Sequence, residues 1–116
     1  MAYLRAETCQ PIFNDFKRVR EAARQKIPFG IAQIGKAFRN EINPRNFTFR
    51  SREFEQAELE FFVHPSERET WFEHWREERL RFHRELGLRE EHLRTRPHEQ
   101  DELAHYARAA VDVEYL

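Results

Sequence analysis

From Arg50 to Val63 the side chains alternate with period two, so successive residues of an extended chain point to opposite faces. Even positions carry Arg50, Arg52, Phe54, Gln56, Glu58 and Glu60, and the later odd positions carry Ala57, Leu59, Phe61 and Val63. The expected structure is a strand that packs its odd face and leaves its even face polar. Phe29 to Ile42 alternates less cleanly, with Gln33, Arg39 and Glu41 on one face and Ile34, Phe38 and Ile42 on the other. Between them lies Asn43-Pro-Arg-Asn-Phe-Thr48, whose Pro44 and two asparagines form loops readily. An antiparallel pair is predicted. Taken alone, its polar face reads as the ordinary solvated side of a half-buried sheet.

The flanks predict two helices and a third strand. Ile12, Phe16, Val19 and Ala23 recur at helical spacing over about Thr8 to Lys26. Thr8 is the expected N-cap, Pro11 then falls in the first turn, and Pro28-Phe-Gly30 ends the segment. Ser66 and Glu69 have the spacing of a capping box, opening a helix that runs to Leu86 and stops at Gly87. Its apolar stripe is Trp71, Trp75, Phe82 and Leu86, which predicts packing on a sheet, and Glu77 and Arg81 are spaced to pair. Residues 88–103 are charged, contain Pro97 and lack a period, so a surface excursion with one helical turn is expected. From Ala107, alternation of Ala107, Ala109, Val111, Val113 and Tyr115 with Arg108, Asp112 and Glu114 predicts a strand. The sequence stops within that strand, so the expectation is an incomplete domain with an edge inviting self-association.

Composition narrows the function classes. Twenty basic residues face 21 acidic ones in 116, so no global basic field draws nucleic acid, and any such contact is local. Eleven phenylalanines argue for a packed chain rather than a disordered one. With three glycines there is no glycine-rich phosphate loop, so phosphates must be met by side chains. A single cysteine, Cys9, excludes an internal disulfide and a cysteine zinc cluster, and a reducing, cytoplasmic setting is expected. No apolar run reaches the roughly 18–20 residues that span a bilayer, and no signal-peptide core opens the chain, so no membrane partner is expected.

Isolated candidates carry little. Cys9 with His64 or His105 would be a nucleophile pair only if folding joined them, and a buried inert thiol is the expected state. The six histidines, His64, His74, His83, His92, His98 and His105, show no H-E-x-x-H spacing, so no metal ligands are assigned.

Phe38-Arg39-Asn40-Glu41, a loop, and Arg50 to Phe54 resemble motif 2 of the class II aminoacyl-tRNA synthetases. Further words resemble the homodimeric glycyl-tRNA synthetases: Tyr3-Leu-Arg-Ala-Glu7-Thr-Cys-Gln10, Phe29 to Ile42, Pro44-Arg-Asn-Phe, Arg52-Glu-Phe-Glu-Gln56, His105-Tyr-Ala and Val111-Asp-Val-Glu-Tyr115. The resemblance implies an α+β fold, part of a class II antiparallel sheet: the motif 2 hairpin and a C-terminal strand, flanked by two helices. It implies ATP-dependent formation of glycyl-adenylate and transfer of glycine to tRNA(Gly). Arg39 would contact the α-phosphate and the amino-acid carboxylate, Glu41 the adenine amino group, Arg50 the γ-phosphate, and Phe54 the adenine face. Asn40, Phe49 and Arg52 complete the implied ATP site. Glu7 and Glu58 would clasp the glycine ammonium with Gln56 nearby, and Arg45 and Asn46 would approach the tRNA acceptor end.

The match departs from the family pattern at Ala6, Cys9 and Pro11, which stand where proline, alanine and glycine are usual, and at Ala57, where methionine is common. Pro11 is expected to displace the Glu7 clasp. Residues 1–116 are expected to form an incomplete catalytic core around motif 2, without motif 1 and its dimer segment, motif 3, most magnesium ligands or the anticodon-binding domain. Alone, such a core should bind ATP weakly. The alternatives are a non-catalytic synthetase-derived paralogue binding nucleotide or RNA, and a metabolic ATP-dependent amino-acid ligase using the same motif.

Overall fold

A computed structural model describes residues 3–116, which divide into two compact units, one ending at His64 and the other running Pro65–Leu116. Each contains one α-helix and one antiparallel strand pair, giving an α+β architecture.

In the first unit, helix α1 (Cys9–Ala22) is followed by strands β1 (Phe29–Phe38) and β2 (Glu53–Phe62). The strands pair in unbroken register from Phe29↔Phe62 to Phe38↔Glu53. At the open end of the hairpin, Phe16 of α1 stacks on Phe29 with ring centroids 5.5 Å apart and meets Phe62 at 4.5 Å, while Phe13 meets Phe62 edge-on at 6.1 Å. Ile12, only 3% exposed, adds on the order of 2 kcal/mol by burial. Ile12 and Phe16 belong to the stripe read from the sequence, and Phe13 joins them from outside it.

Along most of the hairpin the two faces are the reverse of those expected. In β2 the even positions Phe54, Gln56, Glu58 and Glu60 are half-buried while Ala57 and Leu59 are exposed, and only at the far end are the odd residues Phe61 and, just past the strand, Val63 half-buried as expected. Across the ladder, Gln33 and Gly35 are half-buried and Ala37 fully buried, while Ile34 is 81% exposed. The physical reason is a contact between residues far apart in the sequence. Thr8, at the N-cap position of α1, is fully buried and bonds to Gln56 and Glu58, so the segment leading into the helix lies on the polar face. Period two identifies the two faces but not which one is covered.

The first helix ends earlier than expected, for a specific reason. Helix α1 stops at Ala22, four residues before Lys26, because Arg24 adopts φ 52°. Its N–H bonds to Glu21 O at 3.2 Å and that of Gln25 to Arg20 O at 2.9 Å, the Schellman pattern usually built on glycine. Pro11 is the third residue of α1, in the first turn where a missing N–H is harmless.

The second unit opens with a 3₁₀ turn, Pro65–Glu67, leading into α2 (Arg68–Glu85). The N-cap is Glu67 rather than the expected Ser66, without a side-chain cap bond of its own, and the Glu69 carboxylate accepts from Arg68 Nε at 2.6 Å. Gly87, at φ 90°, ends the helix as foreseen, with Gly87 N–H bonding to Arg84 O at 2.9 Å and Leu88 N–H to His83 O at 3.1 Å. Arg81 pairs with Glu78 at 2.5 Å and Glu85 at 3.6 Å rather than with Glu77, which joins Arg76 at 3.0 Å. On the stripe, Arg79 lies over Trp75 and Phe82 at 5.6 and 5.2 Å, leaving Phe82 and Leu86 exposed.

A 3₁₀ turn at Glu90–His92 leads into strand β3 (Leu93–Pro97), which the sequence reading missed, and this pairs with β4 (Val111–Tyr115). Leu93-Arg-Thr-Arg-Pro97 is too short and too charged to show a period. Directly opposed ion pairs hold it instead: Arg94 with Glu114 at 2.5 Å and Arg96 with Asp112 at 3.2 Å. Strand β4 begins at Val111 rather than Ala107, since Ala107 N–H turns back to Ala104 O at 2.8 Å.

Two outcomes are expected from these local structures. Arg24→Gly removes a left-handed non-glycine residue and should raise stability by about 1 kcal/mol, read as a higher urea midpoint at unchanged slope. Asp112 is held below its ordinary 3.8, first by its hydrogen bond to His98 and then by Arg96; Glu102 is held below 4.5, first by the Glu99 N–H and then by Arg96. Lowered folded values stabilise at pH above the ordinary values, and this is lost as pH falls through the folded ones. Hydrogen-exchange protection of β3 and β4 should therefore drop on acidification from pH 5 toward roughly pH 3, and Asp112→Asn should flatten that drop.

Candidate functional site

Where the hairpin ladder gives way to its connecting loop, backbone bonds fix a cleft. Arg39 N–H donates to Arg52 O at 2.9 Å, one step beyond the ladder, and Glu41 N–H donates to Arg39 O at 3.0 Å. Arg52 Nε then holds Glu41 O at 2.9 Å. Farther out, Arg45 and Arg50 exchange backbone bonds of 3.1 and 3.2 Å, closing a tip whose Asn46 and Phe47 are both left-handed, at φ 58° and 55°. The resulting open cleft of about 440 Å³ is lined by Arg39, Glu41, Thr48, Phe49, Arg50, Ser51, Phe54 and Glu55. It offers two guanidinium groups, aromatic surface and carboxylates, a set suited to a planar base carrying phosphates.

Within it, the Arg39 guanidinium carbon sits 5.0 Å from the centroid of Phe54, over one ring face. Its Nε donates to Ala6 O at 3.3 Å. Phe38 N–H donates to Arg5 O at 2.8 Å, so residues 5 and 6 run beside the end of β1 and support Arg39 from behind.

The same segment builds a second, polar corner on the covered face of the hairpin. Thr8 Oγ1 donates a short hydrogen bond to Glu58 Oε2, and Thr8 N–H donates to Gln56 Oε1 at 3.3 Å. Arg5 Nε donates to Lys36 O at 2.6 Å and its Nη1 to Gln33 Oε1 at 3.3 Å, which lays the guanidinium across Gly35. The Cys9 thiol is pushed up to about 12, first by burial, then by its hydrogen bond to Glu60 and by the charges of Glu60, Glu58 and Glu7. Three carboxylates therefore converge on this corner. A cationic ligand group suits it, and the thiol is protonated and unreactive near neutrality.

Over residues 1–114 the sequence matches the family model of the tRNA synthetase class II core domain (G, H, P, S and T). The chain belongs to this family. It is 61% identical over 117 residues to a glycine–tRNA ligase of Thermus thermophilus, covering 99% of this chain and 23% of that protein. Against the glycine–tRNA ligase of Clostridium kluyveri the figures are 59% over 114 residues, 98% and 25%, and against that of Streptomyces coelicolor 55% over 115 residues, 99% and 25%. The chain thus spans about a quarter of the length of the curated relatives it matches.

The residues singled out in this synthetase core fall into three places. Arg39, Glu41, Phe49, Arg50 and Phe54 share the cleft; Asn40 and Arg52 adjoin it in the chain without lining it; Arg45 and Asn46 lie at the loop tip. Gln56 and Glu58 meet around Thr8, and Glu7 lies near enough to raise the neighbouring thiol. Sequence reading missed Arg5, Thr8 and Gln33. Thr8 was taken as a helix cap alone, although its hydroxyl makes no cap bond. The signal for Arg5 was Gly35, where a side chain would collide with the guanidinium.

Metal ligands fit poorly. Among the described residues, Cys9, Glu58 and Glu60 are the one group of three with potential ligand atoms within 4.8 Å of one another. A protonated thiol is no partner for magnesium, which demands an octahedron of oxygens. The architecture also contains no helix long and apolar enough to cross a membrane among the described residues.

Gly35→Ala should leave stability within about 1 kcal/mol, because the clash falls on the flexible end of Arg5 rather than on backbone. It should nevertheless release the guanidinium from Gln33 and Lys36, seen as loss of a distinct Arg5 Nε resonance in NMR spectra.

Proposed function

We propose that this chain forms the nucleotide- and amino-acid-binding part of a glycine–tRNA ligase active site, as an incomplete catalytic core. The reading is carried by the grouping of Arg39, Glu41, Arg50 and Phe54 around one cleft, in a chain 55–61% identical to such ligases.

ATP is held by its base and its outer phosphate. Adenine stacks on the ring face of Phe54 left open by Arg39, its amino group donating to Glu41, while Arg50 takes the γ-phosphate beside Phe49, and Asn40 and Arg52 flank the cleft along the chain. Glycine binds in the adjoining corner, its ammonium between Glu7 and Glu58 and beside Gln56. A glycine carboxylate oxygen bonds to the α-phosphorus as the bond to pyrophosphate breaks, giving glycyl-adenylate. Arg39 faces the charge that grows on the α-phosphate, already held by Phe54 and the Ala6 carbonyl. The terminal hydroxyl of tRNA(Gly) then attacks the glycyl carbonyl and AMP departs, with Arg45 and Asn46 at the acceptor strand. Magnesium, when bound, would neutralise phosphate charge; its ligands are assigned mostly to polypeptide beyond these residues, as is the homodimer contact.

Glycine-dependent ATP–pyrophosphate exchange by the protein expressed over its whole reading frame tests this. Arg39→Ala should lower exchange by roughly 10²–10³. Arg39→Lys should recover little, because a point charge does not reproduce a stacked planar fork. Absence of glycine-dependent exchange in the parent protein overturns the reading, and salt-sensitive RNA binding without exchange would point to a binding paralogue.

A further inference from the structure

We infer that Thr8 is a positioning residue of the amino-acid corner: it assigns Glu58 as the acceptor and Gln56 as the donor presented to the ligand. The inference rests on the glycine-activating reading and extends it to a residue which that reading does not use.

Thr8 is fully buried, the one buried polar residue of the described chain. It occupies the N-cap position of α1, yet its hydroxyl makes no bond to its own helix. An N-cap threonine ordinarily gives its oxygen to the second or third helical N–H. Here the hydroxyl hydrogen goes instead to Glu58 Oε2, across 50 residues of sequence, and the backbone N–H goes to Gln56 Oε1 at 3.3 Å. A hydroxyl bound to a carboxylate is charge-assisted, so the preference for the strand over the cap has a clear origin.

Each bond leaves one ligand group free to act. Glu58 keeps its second oxygen, an acceptor for an ammonium. Gln56, with its carbonyl oxygen fixed by Thr8, turns its amide NH₂ away as a donor for a carboxylate or carbonyl. The two positions are two residues apart on one strand face, roughly 7 Å along the chain. Both side-chain heads converge on Thr8, and an acceptor beside a donor has the polarity that the ammonium and carboxylate of a small α-amino acid require. Without the Thr8 hydroxyl, Glu58 loses that tie while the Glu60 carboxylate, within 4.8 Å of it, repels it from its present position.

The test compares Thr8→Val, which removes the hydroxyl at similar volume, with Thr8→Ser, which keeps it. Both are made in the protein expressed over its whole reading frame and assayed by ATP–pyrophosphate exchange. Thr8→Val should raise the KM for glycine by roughly 10- to 100-fold, the loss of one charge-assisted bond. The KM for ATP should stay within about 2-fold, and Thr8→Ser should restore the glycine KM to within about 3-fold of the parent. A Thr8→Val protein with the parent's glycine KM overturns the proposal. So does a folded Thr8→Ser protein that loses glycine binding, or an equal loss of glycine and ATP binding in Thr8→Val, which marks a structural role. Should Thr8→Val not fold, Thr8→Ala is read by the same criteria. A parent protein that exchanges only with another amino acid removes the glycine reading alone, since Thr8 acts on an ammonium and a carboxylate whatever the side chain; one that exchanges with none removes both.

Discussion

A hydrogen bond from a buried threonine to a half-buried carboxylate decides how the first unit is put together. Helix α1 meets the hairpin at two unlike ends. At one, Phe13 and Phe16 close on Phe29 and Phe62 by hydrophobic burial. At the other, Thr8 reaches Gln56 and Glu58, burying polar groups that must be paired if they are not to destabilise the fold by some kcal/mol each. The aromatic end supplies adhesion without direction. The polar end supplies direction, because a hydroxyl and an amide N–H have fixed partners and geometry, and it thereby selects which face of the hairpin is covered.

That selection turns a regular strand into a site. Residues 54, 56, 58 and 60 stand on one face at two-residue steps, roughly 7 Å apart. Phe54 lies in the cleft under Arg39, Gln56 and Glu58 lie in the corner under Thr8, and Glu60 takes the thiol of Cys9. Had the apolar face been covered, the same side chains would be spread into water and their charges screened. The open face carries Ile34 and Leu59 as a consequence, which an isolated hairpin would not be expected to tolerate.

What the sequence made legible follows the range of the forces involved. The long period-two and helical stretches gave the hairpin, both helices and the last strand, since each is a local pattern. Strand β3 was invisible because Arg94 and Arg96 become strand residues only when Glu114 and Asp112 arrive opposite them. The early end of α1 was hidden in Arg24, a residue type with no preference for the left-handed conformation it adopts. In the site, Arg39, Arg50 and Phe54 were legible as a motif with chemistry attached, whereas Thr8 and Arg5 depend on contacts made 50 and 28 residues away. Gly35 was the single local trace of the latter, one of only three glycines and placed mid-strand where it weakens pairing.

The short segment from Arg5 to Thr8 also links the two halves of the site. Arg5 O accepts from Phe38 N–H, Ala6 O accepts from the Arg39 side chain, and Thr8 holds Gln56 and Glu58. The guanidinium above Phe54 and the carboxylate of the acidic corner are therefore referenced to one stretch of backbone four residues long, rather than to each other through the flexible loop. A chain with three glycines has no glycine-rich backbone cradle for phosphates, so the phosphate contacts proposed for it rest on long side chains with several rotatable bonds each. Such side chains are accurate only when their heads are tied down. The Phe54 ring and the Ala6 carbonyl tie down Arg39 in the same way that Thr8 ties down Glu58, and because both ties begin on residues 5–8, a shift of that segment displaces the proposed nucleotide side and the proposed amino-acid side together.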